Sequence, residues 1–396
     1  MSDRLNGRLL AIACVGLVAD LVVQPLRAIR DLADTDFVNF VAASRILRGG
    51  GCLYCTATQQ AVSHSLVGGL ATDRFVVFVS PPVVAATFTP LSTIDPHVAL
   101  ALFVVVSVLA IAVAGWLIAT RWLTELSGQR RLVLVAATAA SAPAAWGIAL
   151  GQLDPLLFCT VVVGITLCRR HPVAGGLLIS VLAVKPQLFL LVPVALIVGR
   201  NWRSAVGAGL GLGGLLVSTL VLMGWNHALD WPRFVLSQYD NVASHSISIP
   251  LNIATLFGSS ALTVAVSLGL LAAGAVILWQ CRALLSDAET AVAFGLTLTL
   301  VASPHLLAYD ALFLAIPLAW MARRDWGRAV TLALAQSAAY VVDSLAFPTT
   351  AVLQPLVILA IAIVVIGHGR HLHRTRRAAL FVGPGLRRSA VDAASP

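Results

Sequence analysis

LLISVLAVKPQLFLLVPVALIV, residues 177–198, is an apolar stretch interrupted by a single charge, Lys185, the only lysine among 26 basic residues. A lysine inside hydrocarbon costs about 2.5–3.5 kcal/mol on insertion scales, so a partner or a water-filled cavity is expected around it. Pro186 breaks the helix at the same point and frees carbonyls that also need partners. The competing reading is a lysine near a helix end that snorkels to the surface.

The rest of the 396 residues sets this stretch in context: 59% are hydrophobic and 11% charged, more apolar surface than one soluble core can hide. The bilayer is therefore the solvent, and soluble two-domain architectures are excluded. Apolar runs near 9–23, 76–93, 98–119, 132–150, 155–168, 173–199, 205–223, 260–280, 291–303, 308–321, 328–343 and 353–367 approach the roughly 20 residues that cross a hydrocarbon layer. They predict an all-α polytopic membrane protein of about 10–12 transmembrane helices. Residues 1–370 form its membrane domain and 371–396 a basic, disordered cytoplasmic tail. The basic start followed by an apolar run is read as a first anchor holding Asp20, not as a cleaved signal.

The formal charge of +9 gathers in short loops and in the tail, the positive-inside pattern, and calls for anionic lipid and no nucleic acid. It places both termini in the cytoplasm of a multi-pass cell-membrane protein. Loops 27–75 and 224–250 then fall outside. A strict twelve-helix count also puts Arg121, Arg130, Arg131, Arg169 and Arg170 outside. An alternative count makes 76–93 partly re-entrant, splits 173–199 at Lys185-Pro186, and brings those arginines inside.

The first external loop opens with DLADTDFVNFVAASRILRGG, residues 31–50. Asp34 or Thr35 can cap a short helix whose stripe of Phe37, Phe40, Val41 and Leu47 would lie in the membrane interface. Asp36 falls in its first turn, either as a general base for a sugar hydroxyl or as a carboxylate that only stabilises the helix start. GQLDPLL sets Gln152 and Asp154 between two apolar runs, as sugar contacts or as a tight turn. SPHLLAYDALF carries His305, Tyr309 and Asp310; if helical, positions 305 and 309 share a face, and His305 could donate to a phosphate. Aromatic residues in 224–250, Trp225, Trp231 and Tyr239 among them, are spaced as an interfacial belt.

Cys52 and Cys55 form a lone CxxC without the further ligands of a zinc site, compatible with a local disulfide or two free thiols. Cys14, Cys159, Cys168 and Cys281 sit in apolar runs as small hydrophobes. HExxH, P-loop, GxSxG and dinucleotide fingerprints are absent, and no fixed-period repeat is present.

Taken in order, DFVNFVAASRILRGG with LYC, FVSPPVVAATFTPL, GQLDPLLF, AVKPQLFLLVP and ASPHLLAYDALF resemble glycosyltransferase family 87, the polyprenol-phosphate-mannose-dependent mannosyltransferases of the GT-C superfamily. The chain departs from the family's pattern at Cys55 and at Asp154. The resemblance implies inverting sugar transfer at the extracytoplasmic face, from a polyprenyl-phosphate donor to a hydroxyl acceptor on a lipid or glycan. It implies Asp36 as the base and Lys185 and His305 facing the donor phosphate. Gln152, Asp154, Tyr54 and Tyr309 are the candidate substrate contacts, and no metal or cofactor is expected besides the lipid-linked donor. The rival class is a secondary transporter or lipid flippase using Lys185, Asp154 and Asp310 as a polar relay.

Overall fold

The computed structural model describes residues 32–68, 75–139, 141–238, 246–346 and 351–381, together with 23 and 26. The first apolar run with Asp20 and Cys14, the loop residues Tyr239 and His245, and the tail beyond Phe381 lie outside the described residues. Within them the regular elements are all helices, with no strand.

Two helices, α1 (Phe37–Arg48) and α2 (Thr56–Val67), fill the first loop, followed by the short α3 (Pro82–Thr87). Next come α4 (Pro96–Leu117), α5 (Gly128–Ala139), α6 (Ala142–Ala149), α7 (Asp154–Cys168) and α8 (Pro172–Ile179). A tight 3-10 turn, Ser180–Val184, leads to α9 (Pro186–Phe189), α10 (Val192–Val198) and α11 (Trp202–Met223). The second half holds α12 (Asp230–Ser237), α13 (Ile249–Leu256), α14 (Ser260–Gln280) and α15 (Ala288–Ala302). A 3-10 stretch, Ala308–Leu314, then precedes α16 (Ala315–Ala322), α17 (Trp326–Ala346) and α18 (Leu353–Phe381).

Proline sets the starts of these helices. Pro82, Pro96, Pro143, Pro155, Pro172, Pro186, Pro193 and Pro250 all stand in a first turn, where a missing N–H is no loss and the fixed φ is already helical. At α4 the carboxylate of Asp95 completes the start by accepting the His97 and Val98 N–H groups at 3.0 and 3.2 Å. The same punctuation cuts apolar runs short. Among the described residues, four helices are long and apolar enough to cross a bilayer, or five if α5 and α6, bent by 42°, count as one. Segments 154–168, 172–184, 186–198, 288–302 and 308–322 are shorter and apolar. Among the described residues the expected all-α polytopic architecture is thus built from a few long helices around a set of shorter, broken ones, and 76–93 contains only α3 and a 3-10 turn.

Long and short helices differ in what covers them. Residues Leu210, Val217 and Val221 of α11 and Leu268 and Trp279 of α14 are more than half exposed, the face that hydrocarbon solvates. All fifteen residues of α15 are buried inside the protein. Close contact between α8 and α11 depends on glycine: a Cβ on Gly207 would lie 2.0 Å from the Val173 carbonyl, and one on Gly176 1.9 Å from the Ser204 carbonyl.

The structure bears on the path between residues 170 and 200. Arg169, after α7, and Arg200 and Arg203, around the start of α11, line one cavity with Arg323, and Arg169 donates to the Arg121 carbonyl at 3.1 Å. The chain between 170 and 200 therefore leaves one face, turns at Lys185 and returns to it, as the split reading has it. The first loop differs from expectation. Phe37, Phe40 and Val41 are buried, and Phe37 and Phe40 pack in a cluster with Phe88 and Phe103 at ring separations of 5.0–5.8 Å, so the stripe expected in the membrane interface is covered by the chain itself. Cys52 and Cys55 are joined as a disulfide, and Cys159, Cys168 and Cys281 are free. α18 continues to Phe381, into the stretch read from the sequence as a tail.

Gly207→Val should cost about 3 kcal/mol, the upper end for overpacking, and lower the thermal midpoint in detergent. Gly213→Ala on the same helix, where an added Cβ meets nothing within 4 Å, should leave it unchanged.

Candidate active site

The site begins where α1 meets the turn before α7. The Phe37 N–H donates to the Leu150 carbonyl at 3.2 Å, and Gln152 N–H to the Gly147 carbonyl at 2.8 Å. Gly151 sits between them at φ +66°, and a Cβ there would lie 2.7 Å from Cβ of Phe37, so only glycine permits this approach. The sequence placed the helix cap at Asp34 or Thr35; the structure places it at Asp36, while the Thr35 hydroxyl bonds back to Leu32. Yet Asp36 makes no side-chain bond to its own helix N–H groups. Its carboxylate instead accepts a short hydrogen bond from Nε2 of Gln152. Asp36 thus stands at the helix start without capping it through a side-chain hydrogen bond.

Two residues on from Gln152, Asp154 opens α7 with no exposure at all. Its Oδ2 accepts from Nζ of Lys185 at 2.6 Å, and its Oδ1 is buried without a hydrogen-bond partner. Lys185 stands in the break between the 180–184 turn and α9, so its side chain reaches inward from non-helical backbone. Its Nζ also donates to Oδ1 of Asp310 at 2.9 Å and lies 4.3 Å from the centre of the Tyr309 ring, a cation–π contact. Lys185 is only 13% exposed, which rules out snorkelling. Asp310 in turn accepts the Leu307 N–H through Oδ2 at 2.8 Å.

His305 and Tyr309 were expected on one helical face if their segment were helical. It is not: Ser303–Leu307 is irregular, with the Ser303 hydroxyl bonded to the His305 carbonyl at 2.8 Å, and the 3-10 stretch begins only at Ala308. Pro304 and the Ser248 hydroxyl, which donates to the Ser303 carbonyl at 2.7 Å, hold this irregular path. His305 lies within electrostatic reach of Asp310 and Lys185, and Tyr309 within reach of Asp36, Asp154 and Asp310.

The fold thus gathers Asp36, Gln152, Asp154, Lys185, His305 and Tyr309 from four separate stretches of chain. Tyr54 is placed elsewhere. Its hydroxyl donates to the Ser80 carbonyl at 2.8 Å and its ring packs between Phe78 and Phe234, so it ties the first loop to its neighbours. Asp310 belongs to the cluster although it was weighed only as part of a transport relay; an intramembrane carboxylate within reach of a buried lysine was the signal for it. The three carboxyl groups against one ammonium supply proton-accepting and hydroxyl-binding oxygens around a single fixed cation, the equipment for acid–base work on a polyhydroxylated substrate.

Fold and site together define a polytopic all-α membrane protein with a buried acid–base cluster at one end of its short helices. The chain belongs to glycosyltransferase family 87, whose sequence profile matches residues 78–304, more than half its length, and it is a membrane glycosyltransferase. Searches of curated proteins and of solved structures return no match. The matched segment contains Gln152, Asp154 and Lys185. Asp36, His305, Tyr309 and Asp310 lie outside it, and geometry alone joins them to the rest.

Lys185→Met leaves Asp154 and Asp310 buried against each other without a cation and should lower stability by about 3–5 kcal/mol, read as a drop in thermal midpoint. Adding Asp154→Asn and Asp310→Asn to that variant should recover most of the loss, because no uncompensated charge then remains.

Proposed function

We propose that this chain moves a sugar, with inversion, from a polyprenyl-phosphate-linked donor to a hydroxyl of a lipid or glycan acceptor, on the face that carries loops 27–75 and 224–250. By the positive-inside pattern that face is extracytoplasmic and the membrane is the cell membrane, with both termini in the cytoplasm. The observation that carries the reading is the Asp36 carboxylate, turned away from its own helix and held by Gln152 beside the Asp154–Lys185–Asp310 triad.

In this reading Asp36 accepts the proton of the acceptor hydroxyl as its oxygen attacks the anomeric carbon. The bond from that carbon to the phosphate oxygen breaks, and the polyprenyl phosphate leaves with the electron pair. Two of the three N–H donors of Lys185 are engaged by Asp154 and Asp310; the third, with His305, meets the charge growing on the phosphate. Gln152 and Tyr309 contact the sugar, Asp154, which has no exposed surface, serves by holding Lys185, and the role offered for Tyr54 is to hold the first loop over the site. No metal or cofactor has a part. A mannosyl donor follows from the family resemblance alone. The ion-paired triad is also what a transport relay would use, but membership of a glycosyltransferase family favours catalysis.

Purified protein in lipid, given labelled polyprenyl-phosphate mannose or glucose and a lipid acceptor, should form a glycosidic product of inverted anomeric configuration. Asp36→Asn should lower the rate on the order of 10²–10⁴-fold with donor binding retained. Solute movement without any glycosidic product would sink the proposal.

Asp36 lies outside the spanning segments, and burial raises its carboxyl above the ordinary aspartate range, while the Gln152 hydrogen bond and the Lys185 charge pull it back. A base works only when ionised, so kcat/KM should fall as pH drops through that raised value. Gln152→Leu removes a bond that favours the ionised form and should move this acid limb to higher pH; an unmoved limb would assign it to another group.

A further inference from the structure

A cavity of about 690 Å³ opens at the opposite ends of the short helices, between the end of α7, the starts of α8, α11 and α15, and the turn after α16. Both α7 and α15 run 15 residues from this cavity to the Asp154 and Ser303–His305 region, about 22 Å away. It is a separate place in the molecule from the candidate active site and owes nothing to the reading of that site.

Its lining includes Arg169, Arg200, Arg203, Arg323 and Arg324 against two carboxylates, Asp287 and Glu289. Both carboxylates are engaged. Asp287 accepts the Thr290 N–H at 2.8 Å and its hydroxyl at 2.9 Å, capping α15. Glu289 pairs with Arg169 at 3.1 Å and Arg323 at 2.5 Å. Among the described residues, Arg200 and Arg203 face no carboxylate within ion-pair distance. The start of α11 has no side-chain cap, so its first N–H groups add the positive end of a 22-residue helix to the same place. Arg200 holds φ +61°, a conformation in which glycine or asparagine is the low-cost residue, so the chain keeps a guanidinium where its backbone disfavours one. Trp202, 57% exposed, stands at the rim, and indole rings favour the headgroup level of a bilayer.

Planar guanidinium forks match phosphate oxygens two at a time, and a surplus of them in an open, accessible cavity on the arginine-rich face selects that chemistry over a carboxylate or a neutral headgroup. We propose that this cavity binds a phosphate group, carried by an anionic phospholipid of the adjoining leaflet or by free phosphate, with Arg200 and Arg203 as its principal ligands.

The test uses the full-length protein in neutral detergent. Native mass spectrometry reads retention of phosphatidylglycerol against phosphatidylcholine, and thermal melting reads inorganic phosphate. If the phosphate comes from lipid, phosphatidylglycerol is retained in preference; if it comes from solution, inorganic phosphate raises the melting midpoint. Arg200→Gly with Arg203→Gln should weaken whichever probe binds on the order of thirtyfold. Arg200→Gly alone should melt no lower than the wild type, since glycine suits that φ, and this separates lost binding from lost folding. Failure of both probes to bind, or equal binding by the double variant, overturns the proposal.

Discussion

One ammonium fixes the centre of this protein. Lys185 bonds to carboxylates 31 and 125 residues away in sequence, so a single charge gathers the start of α7, the break before α9 and the turn before α16. Hydrocarbon leaves such a group no alternative partner, and water cannot replace a carboxylate that fails to arrive. The same exclusion applies to the backbone. Non-helical chain at membrane depth persists only where protein or a cavity satisfies its polar groups, and the three irregular stretches here meet one another. Polar side chains and broken backbone are therefore two sides of one arrangement: the proline that opens the helix at 186 creates the gap through which the lysine reaches in.

That arrangement explains why the molecule has two kinds of helix. A helix of 15 residues spans about 22 Å, short of the roughly 30 Å of a hydrocarbon core, and could not stand alone in lipid. The short helices are sheltered by longer ones, of which α11 and α14 leave most of their apolar side chains uncovered. Where the two kinds touch most closely, at α8 and α11, glycine lets backbone meet backbone, as membrane helices do when packing replaces the hydrophobic effect as the source of association.

The class of fold was plain in the sequence because hydropathy is a summed property: many apolar residues report the same solvent, and errors at single positions cancel. Lys185 was equally legible, since a lone charge in an apolar run is a strong exception to a strong pattern. What could not be read was which carboxylates it meets, because pairing across 125 residues leaves no local trace. The departures from a helical pattern at α1 and around His305 have a common cause. Both were read from helical periodicity, and in both the tertiary contact overrides the local pattern: an aromatic cluster claims the stripe of α1, and a polar turn built on Ser303 and Pro304 delays the helix until Ala308.

Asp36 shows how such a contact can separate two meanings of one residue. An aspartate at a helix start ordinarily accepts an N–H of the first turn, a bond worth about 1 kcal/mol. This chain forgoes that bond and fixes the start of α1 by other means, the Phe37 N–H on the Leu150 carbonyl and the packing of Phe37 over Gly151. The carboxylate is thereby free of a structural duty while its position is still determined, from outside, by the turn that also carries Gln152 and Asp154. A carboxylate that caps no N–H of its own helix and is held by a side-chain bond from Gln152 keeps further lone pairs open, and it is this division of labour, more than the identity of the residue, that supports the base proposed at Asp36.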